Sequence, residues 1–283
     1  MRAHLAALTV AFLIGTLSLA SADGIPWLSS LDEGLQAARG QDKLVMVDFY
    51  SDLCDWCKEL DRLVYTEPMV QDASREHFVP VKLDGGRHDD LVTKYDLDGY
   101  PTVIFLDAQG EEISRIRGFE PADLFLADMM DAVELKALKS EAVDLEKAVK
   151  AGEGGFEAYA RLGHIYRRLG KTELARTYLT KAHETGQTSP DFALDWILGT
   201  EKASPAVEAL DKWIKANPEH SRRWEAGYEL GMAKARLRQW EGSVDVFRGV
   251  AKGAGDSAWA ARSRFVASII EERYLKPAED CRT

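Results

Sequence analysis

Only three cysteines occur in 283 residues, too few for a scaffold stapled by disulfides. Nine prolines and 22 glycines argue against a collagen-like chain, and 46% apolar residues argue against a fully disordered one. Positive charge is in deficit. Lys and Arg number 36 against 47 Asp and Glu, net -11, which speaks against nucleic acid or anionic lipid as a partner. Beyond the first twenty residues no apolar run is long enough to cross a bilayer. Methionine and histidine form no cluster suited to soft-metal transfer, so no metal or cofactor is expected.

What is present is unevenly spread. A chain of this length predicts two units at roughly 150 residues each. From Asp23 to Leu138 there are 11 basic and 25 acidic residues, net -14, whereas Lys139 to Thr283 carries 24 and 22, net +2. The chain is therefore divided into 1–22, 23–138 and 139–283. In the first segment Met1-Arg2 precedes the uncharged run Leu5 to Ala20, followed by Ala20-Ser21-Ala22. A positive start, an apolar centre and a small-x-small site predict an export signal cleaved after Ala22, with no membrane span left in the mature chain. The product would be periplasmic in a Gram-negative cell and secreted otherwise. The competing reading is an uncleaved anchor, but the run falls just short of a usual span. Position 23 is Asp rather than Cys, which argues against a lipoprotein.

Leu44-Val-Met-Val-Asp-Phe-Tyr50 is a nearly continuous apolar run, suited to a strand buried on both faces and interrupted by Asp48. After the turn Ser51-Asp52-Leu53, Cys54-Asp-Trp-Cys57 opens a segment with apolar residues at Leu60, Leu63 and Val64, a helical spacing. Cys54 thus falls at a helix N-terminus, where free N–H groups and the macrodipole stabilise a thiolate. Cys57 lies on the same face, close enough to close a ring with it. A C-x-x-C pair can also be half of a zinc site, but no second pair accompanies this one. Strands are further predicted at Phe78 to Leu83, Val103 to Leu106 and Glu111 to Gly118, the last two as a hairpin through Ala108-Gln109-Gly110, with a helix after Pro121. The order helix, strand, helix, strand, helix, hairpin, helix predicts an α/β unit, a mixed sheet covered by helices.

The segment from about Trp27 to Leu138 resembles a thioredoxin-fold domain, nearer to the exported disulfide-reductant type than to cytosolic thioredoxin. Asp48 stands six residues before Cys54, where that family keeps a buried acid beneath the pair. Lys82 stands nineteen before Pro101, where the acid's partner lysine lies, and Pro101 matches the family's cis-proline. Without the resemblance a trans bond would be favoured there, since only about 5 to 6% of X-Pro bonds in folded proteins are cis. Leu53 departs from the tryptophan that many relatives carry before the first cysteine.

The resemblance implies a mechanism. Cys54 as thiolate attacks a client protein's disulfide, Asp48 helps deprotonate Cys57, and Cys57 resolves the mixed disulfide. Lys82 is the possible proton-transfer partner of Asp48, and Tyr100 and Trp56 are expected at the surface where a substrate docks. An upstream thiol donor would restore the pair. Asp55 should disfavour the Cys54 thiolate and make the pair more reducing by on the order of 20 mV, with Lys58 pushing the other way. A reductase or isomerase is therefore expected rather than a primary oxidant. His88-Asp89-Asp90 is assigned no metal role.

Past Leu138 the strand pattern gives way to an all-α one. Tyr159, Leu162, Gly163 and Tyr166 follow helical spacing, with Ala175, Leu179 and Ala182 on the next helix. The segment Phe156 to Ser189 resembles a tetratricopeptide repeat of about 34 residues. Leu230-Gly231 lies 68 residues after Leu162-Gly163, with Phe247 at the position of Leu179. Ala206, Leu210 and Pro218 read as a degenerate middle repeat, and Ser257 to Leu275 as a capping helix. Such repeats can bind a peptide or mediate self-association. Arg161, Arg167 and Arg168 are candidates for an acidic tail, though exposed bases on helices are usually solvated. Cys281 reads as a tail thiol without a role, or as one that pairs with another chain or intercepts Cys54. The alternative to an enzyme is an adaptor whose thioredoxin-like part is scaffold.

Overall fold

A computed structural model describes residues 24–276; the expected export signal and Cys281 lie outside them. The β-branched and aromatic run at 44–50 forms the central strand β1 (Leu44–Tyr50), buried along almost its whole length. It is flanked by β2 (Phe78–Asp84), in parallel, and β3 (Thr102–Leu106), antiparallel, which in turn pairs with β4 (Glu112–Arg117). The mixed sheet has the order β2-β1-β3-β4.

Because side chains alternate along a strand, β1 contributes to two cores. Leu44 and Met46 pack with Leu60, Val64, Phe105 and Phe125 on one face, and Val45, Val47 and Phe49 with Val81, Ile104 and Leu106 on the other. The alternation puts Asp48 on the first face. That face is covered by α2 (Asp55–Leu63), α3 (Pro68–His77) and the start of α5 (Ala122–Lys150). Helices α1 (Leu31–Gln41) and α4 (Asp89–Lys94) belong to the second.

Helix α5 serves both parts of the molecule. Leu124, Phe125, Met129 and Ala132 pack on the sheet, whereas Leu135, Leu138 and Ala142 pack against Leu162, Ile165 and Tyr166. The composition shift at 138/139 falls inside this 29-residue helix. After it come seven helices: α6 (Phe156–Arg168), α7 (Thr172–Glu184), α8 (Pro190–Thr200), α9 (Ala203–Ala216), α10 (Arg223–Arg236), α11 (Trp240–Gly253) and α12 (Ala258–Ile270), which ends in a wide turn, Glu271–Leu275.

The α6/α7 and α10/α11 hairpins use the same close approach. A Cβ on Gly163 would lie 2.7 Å from Leu179, and one on Gly231 would lie 2.6 Å from Phe247. Only a residue without a side chain lets these helices meet so closely. Helix α12 folds back onto α5, where Arg262 reaches Asp128 at 2.6 Å and Arg264 reaches Asp123 at 2.8 Å. From α6, Arg168 pairs with Asp131 and Glu134. Part of the acidic excess of the first half is thus answered by arginines of the second.

Candidate active site

Sequence order and helix start place the cysteines. Cys54 is the N-cap of α2, with extended backbone, and its Sγ accepts the Cys57 N–H at 3.0 Å. The two are joined in a disulfide with Cα atoms 5.3 Å apart. Cys57 is 4% exposed, and Cys54 is half-buried at the rim. The sulfur that a partner can reach is therefore that of Cys54. Asp55 projects into solvent and pairs with Lys58 at 3.0 Å, which places opposite charges together beside Cys54.

On the covered face of the sheet, strand register sets Asp48 directly beside Lys82. Asp48 is 1% exposed. Its Oδ2 lies 3.1 Å from Lys82 Nζ, and its Oδ1 has no hydrogen-bond partner among the described residues. Burial pushes its pKa up to about 6, against the downward pull of Lys82. Lys82 also binds Asp61, one helical turn after Cys57 on α2. Burial opposes the charge on Lys82, but the two aspartates outweigh it and raise its pKa. Its ammonium sits 5.3 to 5.5 Å from the ring centres of Trp27, Tyr50 and Tyr65, within range of cation–π attraction. Tyr65 is itself buried, and burial together with Asp48 and Asp61 raises its pKa well above 10. Asp61 and the three rings were not singled out from sequence. The one available signal was the i, i+4 spacing of Cys57 and Asp61.

The remaining predicted residues lie in the loops at this end of the sheet. The Tyr100–Pro101 bond is cis, and the Pro101 carbonyl accepts the Gly118 N–H at 2.8 Å. The Tyr100 ring lies against Gly85, where any Cβ would collide with it. Trp56, 61% exposed, meets Phe119 with ring centres 5.5 Å apart, and Leu53 is 92% exposed. The loops after β1, β2 and β4 and the loop before β3 therefore meet around the cysteine pair. Just behind Phe119, Glu120 is a further ionisable group that sequence reading passed over. Burial and the neighbouring Asp128 push its pKa well above the ordinary carboxylate range.

Elsewhere, Arg161 is bound to Glu141, Arg167 to Asp195 and Glu225, and Arg168 to Asp131 and Glu134. Among the described residues no three His, Cys, Asp or Glu side chains converge as a metal site, and no helix is long and apolar enough to cross a membrane.

Residues 26–108 match the family model described as thioredoxin-like. The chain is 38% identical over 110 residues to the thiol:disulfide interchange protein DsbD of Ralstonia nicotianae, covering 38% of this chain and 18% of that protein. To the protein of the same name from Tatumella citrea it is 37% identical over 99 residues, covering 33% and 17%. The chain thus spans less than a fifth of the length of these curated relatives. Among solved structures, it is similar to the oxidised C-terminal domain of Neisseria meningitidis DsbD, at 28% identity over 35% of this chain and 93% of that one, with a TM-score of 0.31.

Proposed function

We propose, from the premise that residues 26–108 form a thioredoxin-like domain, that this protein is a thiol-disulfide oxidoreductase reducing or isomerising the disulfides of client proteins. The observation that carries the reading is the Cys54–Cys57 disulfide at the start of α2, with one sulfur at the rim and the other buried. The similarity to proteins named for thiol:disulfide interchange supports it.

In the reduced form, Cys54 as thiolate attacks a client disulfide. The client S–S bond breaks, a mixed disulfide forms, and the departing client thiolate takes a proton from solvent. Cys57 gives its proton to Asp48 and attacks Cys54 Sγ, breaking the mixed disulfide. The second client sulfur leaves as a thiolate and takes a proton from solvent, to which Asp48 returns its own. Two protein thiols become one disulfide, and one client disulfide becomes two thiols. A dithiol donor must then reduce the pair again. Asp48 suits the acceptor role: it is buried, carries an uncommitted oxygen, and has a pKa near the working range. Lys82 holds it in place, and Tyr100, cis-Pro101 and Trp56 offer the client its docking edge.

The export signal at 1–22 would place this chemistry outside the cytosol, in the periplasm of a Gram-negative cell. The helices beyond α5 act as tetratricopeptide-like repeats that select partners or mediate self-association, with the functional division near 138/139. The test is trapping with Cys57→Ser. The variant should accumulate a covalent client adduct through Cys54, resolvable by reduction and identifiable by mass. Absence of any adduct, with partner binding retained by the same variant, would favour an adaptor instead.

A further inference from the structure

The rim around the cysteine pair combines two features, an exposed apolar centre and polar surroundings, of the kind that mark interaction surfaces. Its centre is apolar and uncovered, because Leu53 and Trp56 flank Cys54 and project into solvent. Its surroundings are acidic. Three basic residues border the four loops that meet there, and each pairs with one aspartate: Lys58 in the first turn of α2 with Asp55, Arg87 with Asp84 at 3.1 Å, and Arg117 at the end of β4 with Asp98 at 3.7 Å. Lys94, at the far end of α4, donates instead to the Tyr95 hydroxyl. Asp52, in the loop after β1, and Asp89 and Asp90, at the start of α4, are exposed and have no ion-pair partner among the described residues. The loops are held as one surface by the contacts of Trp56 with Phe119, Gly118 with Pro101, and Tyr100 with Gly85.

Solubility alone would favour acidic residues anywhere on the surface. Yet on α5, where acids face the helical half, they are matched by Arg168, Arg262 and Arg264. Asp52, Asp89 and Asp90, without such partners, lie in or next to the loops that border the cysteine pair. Like charges across an interface repel and opposite ones steer encounter, with effects on association of ten- to a thousandfold at low salt.

Resting on the redox reading above, we propose that the redox face docks a basic polypeptide, one whose disulfide is flanked by Lys or Arg and by an apolar residue that seats on Leu53 and Trp56. An acidic client is rejected by Asp52, Asp89 and Asp90.

The experiment uses the reduced full-length protein and three synthetic peptides with the same apolar core and internal disulfide, flanked by Lys, Gln or Glu. Exchange rates are normalised to those of dithiothreitol with the same peptides, which removes the intrinsic effect of charge on the disulfide. At about 10 mM ionic strength the Lys peptide should react at least about tenfold faster than the Glu peptide, and the ratio should fall toward one at about 0.5 M salt. The double variant Asp89→Asn/Asp90→Asn, remote in sequence from the sulfurs, should lower that ratio about two- to threefold. Equal normalised rates for the three peptides, or an unchanged ratio in the double variant, overturn the docking proposal and leave the redox reading standing. No exchange with any peptide, from protein whose reduced Cys54 is readily alkylated, overturns the redox reading itself and this proposal with it.

Discussion

Two aspartates are almost equally buried in this molecule and have opposite proton affinities. Asp48, in the sheet, is 1% exposed, and Asp195, in α8, is 2% exposed. Burial alone would raise both. At Asp195 it is outweighed by His164 and Arg222, which bind the carboxylate at 3.0 and 2.7 Å, and by the Arg167 guanidinium at 2.9 Å. Its pKa is held well below the usual 3.8. Glu225 completes that cluster by taking the free ends of Arg167 and Arg222. At Asp48 a single ammonium, shared with Asp61, leaves one oxygen unpartnered, and burial prevails. A fully satisfied buried charge fixes helices α6, α8 and α10 relative to one another. A partly satisfied one keeps a proton within reach of neutral pH, which chemistry needs and architecture does not.

The largest effect expected from this contrast is on stability in the helical half. Asp195→Ala leaves two guanidinium groups and His164 short of their shared acceptor and should cost about 3 to 5 kcal/mol, read from urea unfolding. Because the folded pKa of Asp195 is depressed, its contribution is complete above the unfolded value of 3.8 and is lost as pH falls below it. Wild type and variant should therefore converge in acid. Thiol-disulfide exchange by the folded variant should be unchanged. A loss of exchange would mean that the two buried charges are not separate in function.

Asp48→Asn should act the other way. Raising a carboxyl from 3.8 to about 6 disfavours the folded state by about 3 kcal/mol once the group is ionised in both states. That penalty is absent below pH 3.8, grows as pH rises toward 6, and is full above it. The variant should gain on wild type by up to that amount between pH 4 and pH 7, while the release of client from the mixed disulfide slows at least about a hundredfold. An unchanged release rate would remove Asp48 from proton transfer and leave it a structural acid like Asp195.

How far each buried charge could be read from sequence follows from the same physics. The strand at 44–50 and the helix after Cys54 were legible because hydrophobic periodicity is local. The mixed sheet followed from the order of such segments. Asp48 stood out because one acid in a run of buried apolar residues is locally anomalous. Asp195, Arg222 and Glu225 looked like ordinary helix-surface charges, since nothing local marks residues that meet across three helices. Asp61 was hidden for the same reason: its partner Lys82 lies on another element. The arginines set aside as possible peptide ligands are bound within the chain, to acids up to 58 residues away in sequence. The continuity of α5 was also hidden. A charge shift marks a change of surroundings, and here one helix passes through both.

Asp55 supplies the smallest effect and the exposed control for the comparison. It follows Cys54 directly, but its carboxylate is in solvent and its charge is shared with Lys58. A neighbouring negative charge destabilises the thiolate and so favours the disulfide, making the pair more reducing. Screening by water and by Lys58 limits what its removal can do. Asp55→Asn should raise the potential measured against glutathione by less than about 20 mV, and Lys58→Gln should lower it by a similar amount. A shift beyond about 60 mV in either variant would mean that an exposed charge here acts with the force of a buried one. The distinction drawn between Asp48 and the solvated acids around it would then fail.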